Sequence, residues 1–202
     1  MAITNGYCTL AEMKTALQLT DNNDDTSLEV AVAAASRMID DYTGRFFYQS
    51  GTSPTPAIRY YTPQDAWTLA TDDIVSISEI ASDDNFNRTY GTIWASDDYM
   101  VEPVNNPARG WPVSRVLAVG AYIFPFSLPQ SVRIKGIFGF SAVPPEINIA
   151  TQLQASRLFV RRQSPFGIAG SAELGTVRLA AKLDADVEAL LRPFRKNNGL
   201  AK

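Results

Sequence analysis

Apolar positions recur at helical spacing at both ends of the chain and at strand spacing in its middle. Near the start, Thr9-Leu10-Ala11-Glu12 has the capping-box spacing, in which a threonine side chain accepts the third helical amide and a glutamate reaches back to the cap. Leu10, Met13 and Leu17 then share one face, so a short first helix is predicted. The polar run Asp21 to Asp25 reads as a loop, after which Thr26-Ser27-Leu28-Glu29 repeats the capping signal. Leu28, Val32, Ala35, Ile39 and Tyr42 form a helical seam, Ala31, Ala33, Ala34 and Ser36 keep the other sides thin, and Gly44 stands where a left-handed stop is wanted. Thin sides let neighbouring helices approach closely.

From Phe46 to Val143 the pattern changes. Prolines at 54, 56, 63, 103, 107, 112, 125 and 129 forbid long helices, and β-type runs lie between them at Ile58–Thr62, Ile74–Ile80, Tyr99–Val101, Val113–Val119 and Val132–Phe140. Val132-Arg133-Ile134-Lys135 alternates cleanly, whereas Ile74 to Ile80 does not, which leaves its register open. Gly136 and Gly139 predict a bend or bulge.

Helical spacing returns at Pro144-Pro145, where proline suits a first turn and Glu146 suits the positive end of the helix dipole. This helix is expected from about Pro145 to Gln163, followed by the glycine-containing loop "SPFGIAGSAELG" and a last helix capped by Asp184, with Val187, Leu190 and Leu191 inward. The predicted class is α+β: a small helical bundle of about four helices with a β-rich insertion between the second and third main helices. The expected parts are a helical 1–45, a β-rich 46–143 and a helical 144–202 with a basic tail.

Composition narrows the function classes. With 202 residues, 46% hydrophobic and 19% charged, the chain has the make-up of an ordinary globular protein. One cysteine, Cys8, excludes an internal disulfide and paired-cysteine zinc sites, and the absence of histidine removes the commonest general base and metal ligand. The start "MAITNGYC" has neither the charged nor the apolar region of a signal peptide, and the run Val116 to Pro129, broken by Gly120 and Pro125, is too short to span a bilayer. Synthesis in a cytoplasm, with no membrane partner, is the expectation. Charge is split: residues 1–150 hold nine Lys/Arg against seventeen Asp/Glu, a net of −8, whereas residues 151–202 hold nine against four, a net of +5. Internal salt bridges are one reading of that split, and head-to-tail or partner contacts between opposite faces are the other.

No chemical constellation emerges. Asp21, Asn23 and Asp25 imitate the start of a calcium loop, but Thr26 stands where glycine is needed and Val32 where glutamate is needed, so no metal is expected. The pairs Asp40-Asp41, Asp72-Asp73, Asp83-Asp84 and Asp97-Asp98 are scattered and read as turns and solvated faces. Gly167, Gly170 and Gly175 lack the lysine and hydroxyl of a phosphate loop, and Cys8 has no histidine to activate it. No cofactor and no catalysis are expected. Arg157, Arg161 and Arg162 share a helix, the first two one turn apart, and Arg192, Phe194, Arg195 and Lys196 extend the basic character into the tail. Such a face is solvated or internally paired, or it meets a neighbouring subunit or a phosphate backbone.

The segments "TLAEMKTAL", "LEVAVAAASRMIDDYTGRFFY", "VRIKGIFGFSAVPPEINIATQLQASRLFVRRQSPFGIAG" and "LDADVEALLRPFR" together resemble the head-to-tail adaptor, or head–tail connector, proteins of tailed bacteriophages. The likeness covers both ends of the chain; the stretch from Gln49 to Gln130 is similar in β character and position more than in residues. The resemblance implies a structural, non-catalytic ring of twelve copies beneath the portal protein. That ring extends the DNA channel without sequence-specific binding and presents a surface to the next connector or tail-completion protein. It also implies a place at the head–tail junction of the virion, after assembly in the host bacterial cytoplasm. On this reading Arg157, Arg161, Arg162, Arg192, Phe194, Arg195 and Lys196 contact the portal or a neighbouring subunit. The competing reading is a small nucleic-acid-binding accessory protein using its basic C-terminal segment, against which the net charge of −3 argues.

Overall fold

Helix α1 (Leu10–Leu17) begins as its capping box requires: Thr9 Oγ1 accepts the Glu12 amide at 3.2 Å, and the Glu12 carboxylate accepts the Thr9 amide at 2.7 Å. The bond from the Thr9 amide is the main reason the Glu12 carboxyl sits below its usual range. Helix α2 (Asp25–Thr43) departs from expectation. It opens at Asp25 behind Asp24, no side chain caps it, and the Thr26–Glu29 capping box does not form. The acidic residues before Thr26 extend the helix backwards: Asp25 pairs with Lys14 at 2.8 Å and Asp24 with Arg162 at 2.8 Å, placing negative charge at the positive end of the dipole. Gly44 closes α2 in the left-handed conformation, its amide reaching the Asp40 carbonyl at 2.8 Å.

The computed structural model describes residues 3–162, 168–169, 177–178 and 183–196. Over these residues the fold is α+β, with four α-helices and a six-stranded antiparallel sheet. Two compact units are present, Met1–Arg45 with Val143–Lys202, and Phe46–Ala142. In the first, α3 (Pro145–Arg161) and α4 (Ala185–Leu191) join α1 and α2. Met13, Leu28, Val32, Ala35 and Ala155 make its core, with Leu10, Leu17 and Leu158 packed around them. Each such large aliphatic side chain contributes roughly 1.5–3 kcal/mol by leaving water. None of the described helices is long and apolar enough to cross a membrane.

In the second unit, strands β1 (Ala57–Tyr61), β2 (Thr68–Ser82), β4 (Tyr99–Glu102), β5 (Val113–Ala118) and β6 (Val132–Phe138) lie in the order β1-β6-β2-β5-β4, and β3 (Thr92–Trp94) pairs with the end of β2. β2 is far longer than its apolar run suggests. Its broken alternation has a physical cause: two bulges against β6, one between Ile74 and Ser76 and one between Ile77 and Glu79, each insert a residue. At the second, Ser78 Oγ donates to the Lys135 carbonyl at 3.0 Å. Gly136 lies opposite, and a Cβ there would meet the Ser76 carbonyl oxygen at 2.3 Å. Leu69, Ile74, Val116, Phe124, Ile134 and Phe138 fill the core, where Trp94 stacks on Phe124 at 4.6 Å and donates its indole N–H to Ser82 at 3.1 Å. The two ends of this unit are zipped together: Ser50 and Phe138 exchange backbone bonds at 2.9 Å, and Gln49 donates to the Ser141 carbonyl at 2.9 Å. A two-residue pair, β7 (Ile168–Ala169) with β8 (Val177–Arg178), follows α3. Apart from the backbone of this pair, the loop expected from Ser164 to Gly175 lies outside the described residues.

Gly139 ends β6 at φ 98°, with its missing Cβ pointing 2.0 Å from the Tyr48 carbonyl oxygen. Gly139→Ala should therefore cost at least about 2 kcal/mol in urea unfolding, from the left-handed backbone and the clash together. A loss below about 0.5 kcal/mol would show that the close approach is not maintained in solution.

Asp40 on α2 supplies a pH test. Tyr7 donates its hydroxyl to Asp40 in a short bond and its amide to Ser36 Oγ at 3.2 Å, tying the N-terminal segment to the helix. Arg37 Nε lies 3.1 Å from the other carboxylate oxygen, at an angle too poor for a hydrogen bond. Burial pushes the Asp40 carboxyl up to about 6, against the lowering pull of Tyr7 and Arg37. The folded chain thus binds this proton more tightly than the unfolded chain, whose ordinary value is 3.8. The stability it contributes is full below about pH 4 and lost as pH rises through about 6. The melting temperature of the wild type relative to Asp40→Asn should fall between pH 4 and pH 7. A constant difference would mean that Asp40 is not held protonated.

Candidate interaction surface

The basic residues singled out in the sequence occupy two places on the helical unit. The first is the end of α3. Arg157 Nη1 lies 2.5 Å from Asp184 Oδ2, while Asp184 Oδ1 accepts the Asp186 amide at 3.1 Å and so caps α4. One carboxylate therefore starts α4 and fastens it to α3. Arg162 bonds to Asp24 at 2.8 Å and to the Ser27 hydroxyl, with its guanidinium 4.8 Å from the Phe159 ring centre. Arg161 lies with Arg157 along a groove of about 380 Å³ between α3 and α4, lined also by Leu153, Val160 and Val187. Among the described residues Arg161 has no ion-pair partner.

The second place is the turn Arg192–Phe194 that follows α4. Its residues lie against the C-terminal end of α2: the Phe194 carbonyl accepts Arg45 Nε at 2.8 Å, and the Lys196 amide donates to the Thr43 carbonyl at 2.7 Å. Carbonyls at a helix end lack intrahelical partners, and this strap supplies one. Arg195 sits 5.3 Å from the Tyr42 ring centre. Phe194, expected to meet a partner, is only 5% exposed. Its ring is more favourably placed in the interior, and it anchors the strap that leaves Arg192 and Arg195 exposed at the surface.

Two features escaped the sequence reading. Ile149, Leu153 and Val160 form an exposed apolar stripe on α3, opposite the buried Ile147, Ala150 and Ala155. Their spacing of four and seven was the available signal. The other is the loop between β2 and β3. Asp83, buried, accepts the amides of Asn87 at 3.0 Å and Arg88 at 2.7 Å, and Asp84 accepts the hydroxyls of Ser82 at 2.8 Å and Thr92 at 2.5 Å. Phe86, Arg88 and Tyr90 adopt left-handed backbone angles, and the loop presents Phe86 to solvent. Cys8 is buried, and burial pushes its thiol up to about 12, far from a reactive thiolate.

The fold has counterparts among solved structures. Two solved structures match over 100% of this chain and 96% of theirs. One is a chain of the "Neck of empty GTA particle computed with C6 symmetry", at 16% identity and a TM-score of 0.60. The other is a chain of the "Virion of native gene transfer agent (GTA) particle", at 18% identity and a TM-score of 0.56. No curated protein matches in sequence. The family model of the phage gp6-like head-tail connector proteins matches residues 7–102, from the segment before α1 to the end of β4. The likeness to this connector family spans just under half of the chain.

The double role of Asp184 separates two variants. Asp184→Ala should destabilise the helical unit by about 1–2 kcal/mol through the lost cap. Asp184→Asn, which keeps an accepting oxygen, should cost under about 1 kcal/mol, the worth of a surface ion pair. Equal losses in chemical denaturation would assign the whole effect to Arg157.

Proposed function

We propose that the chain is a structural head-to-tail adaptor without catalytic activity. Copies of it form a ring beneath the portal of a tailed-phage-like particle, extend the DNA channel and present a docking surface to the next connector or tail-completion protein. The observation that carries this reading is the connector-family match over α1 to β4, joined to a fold shared along the whole chain with a neck protein. The symmetry in that neck's description is six-fold, and twelve copies per ring is a number compatible with it. Its place is the head–tail junction of the virion, and its assembly belongs in the host cytoplasm.

The charge split supports a division of labour. Residues 1–150, at −8, offer surfaces that repel phosphates and let packaged DNA pass unbound. The exposed Arg192 and Arg195, with Lys196, lie on a strap anchored by Phe194 and are suited to grip the portal. A heterologous ring closes only if each subunit repeats the same rotation, and the well-packed helices supply that rigidity.

Electron microscopy of the chain mixed with the portal ring of its own virus should show a closed ring on one portal face. The triple variant Arg192→Glu, Arg195→Glu, Lys196→Glu should lose docking while its circular dichroism and melting stay near wild type, because the Lys196 bond to Thr43 uses the backbone. Unchanged docking would remove the strap from the mechanism. A bare portal with wild-type chain would overturn the reading, and steep salt-dependent binding to duplex DNA would then favour the accessory-protein alternative.

A further inference from the structure

The segment before α1, residues 3–8, is tied to one stretch of α2. Tyr7 is buried, and it donates its hydroxyl to Asp40 and its amide to Ser36 Oγ at 3.2 Å. Arg37 donates to the Asn5 carbonyl at 2.8 Å, and its guanidinium stands 5.7 Å from the Tyr7 ring centre. Gly6 comes so near the helix that a Cβ there would lie 3.3 Å from Val32 Cγ1. On another flank the segment borders a cavity of about 530 Å³, lined also by Glu12, Glu29, Val143 and Asn148. Atoms facing a void gain no dispersion contacts on that side, so the ties to α2 hold a large share of the segment in place.

Those ties centre on a carboxyl that is poorly provided for when charged. Asp40 is 6% exposed; its Oδ1 accepts the Tyr7 hydroxyl, while Oδ2 has the offset Arg37 Nε beside it and no hydrogen-bond partner. A buried neutral acid tolerates one unbonded oxygen, whereas a buried carboxylate needs its oxygens bonded or wet. Burial is the largest influence on this group; Tyr7 on the segment and Arg37 on α2 favour its charged form, and Asp41 on α2 opposes it. We propose that residues 3–8 are a pH-operated latch, closed on α2 while Asp40 is protonated and lifting from the folded helices once Asp40 ionises. Lifting gives the carboxylate the water it lacks and bares Val32 and Ser36 of α2. Helix α1 keeps its start, because Thr9 and Glu12 cap it from within their own turn. Ionisation is disfavoured in the docked state and ordinary in the lifted one, so the lifted population grows as pH rises from about 4 to about 6 and is level above. The latch is independent of the connector reading.

Cys8, the one cysteine of the chain, is buried within this segment and reports its lifting. The test reacts the full wild-type chain and Asp40→Asn with 4,4′-dithiodipyridine between pH 4 and pH 8. The asparagine keeps an oxygen for Tyr7 and cannot ionise, and the ratio of the two rates cancels the pH dependence of the thiol and the reagent. The wild-type rate relative to Asp40→Asn should rise about tenfold or more from pH 4 to pH 6 and then stay level. A ratio that does not change with pH would overturn the latch. Amide hydrogen exchange of the wild type alone, followed by NMR at pH 7, supplies a measurement that needs no variant. The Tyr7 amide, bonded to Ser36 when the latch is closed, should be at least about tenfold less protected than the α2 amides from Val32 to Asp40, which marks lifting without unfolding of the helix. Equal protection would assign any exposure of Cys8 to unfolding of the helical unit as a whole, and that result would also overturn the proposal.

Discussion

The β unit depends on the bonding of its two ends. Ser50 and Phe138 exchange backbone bonds, Gln49 reaches Ser141, and Phe47 packs on Phe140 with ring centres 4.8 Å apart. Because the chain leaves this unit beside the point where it came in, a whole sheet can be interposed in a helical sequence without a long closing loop. The close approach permits no side chain at Gly139, whose backbone runs against the Tyr48 carbonyl. One glycine thus fixes how the sheet is closed.

In the helical unit a few polar groups are shared between elements. Asp184 caps α4 while holding Arg157, Thr43 gives its carbonyl to Lys196, and Arg45 holds the Phe194 carbonyl. These contacts bring residues far apart in sequence to the end of α2 and turn the basic C-terminal segment into an organised surface. Part of the charge asymmetry is neutralised internally, by Arg162 of the basic segment with Asp24 of the acidic one, as the salt-bridge reading of the split expects. Arg192 and Arg195 of the strap stay exposed.

Local signals were legible in the sequence where neighbours in the chain decide the structure. The Thr9 capping box, the Leu28–Ile39 seam, the Gly44 stop and the Asp184 cap all form as their residues dictate. Thr26 failed as a cap because the acidic residues before it, paired to Lys14 and to a distant arginine, extend the helix. β2 was read short because bulges at Val75 and Ser78 hide its alternation, and β3 was missed because three residues carry no period. In the candidate surface, the arginines were legible by their helical spacing. Their partners were not, since Asp24 lies 138 positions from Arg162 and no local pattern encodes such a pairing. Phe194 was read as a contact residue of the basic tail, and its burial follows from tertiary packing that no local pattern encodes.

The loop between β2 and β3 bears on how binding energy is spent. Its left-handed residues are strained, yet the buried Asp83 and the bonds from Tyr90 and Arg88 to Gln130 hold them in one shape before any partner arrives. The ordering entropy of this loop is therefore settled when the chain folds, and Phe86 at its tip meets another surface as a rigid probe. A contact made there would lose little chain freedom on forming, so even one aromatic side chain could confer geometric selectivity.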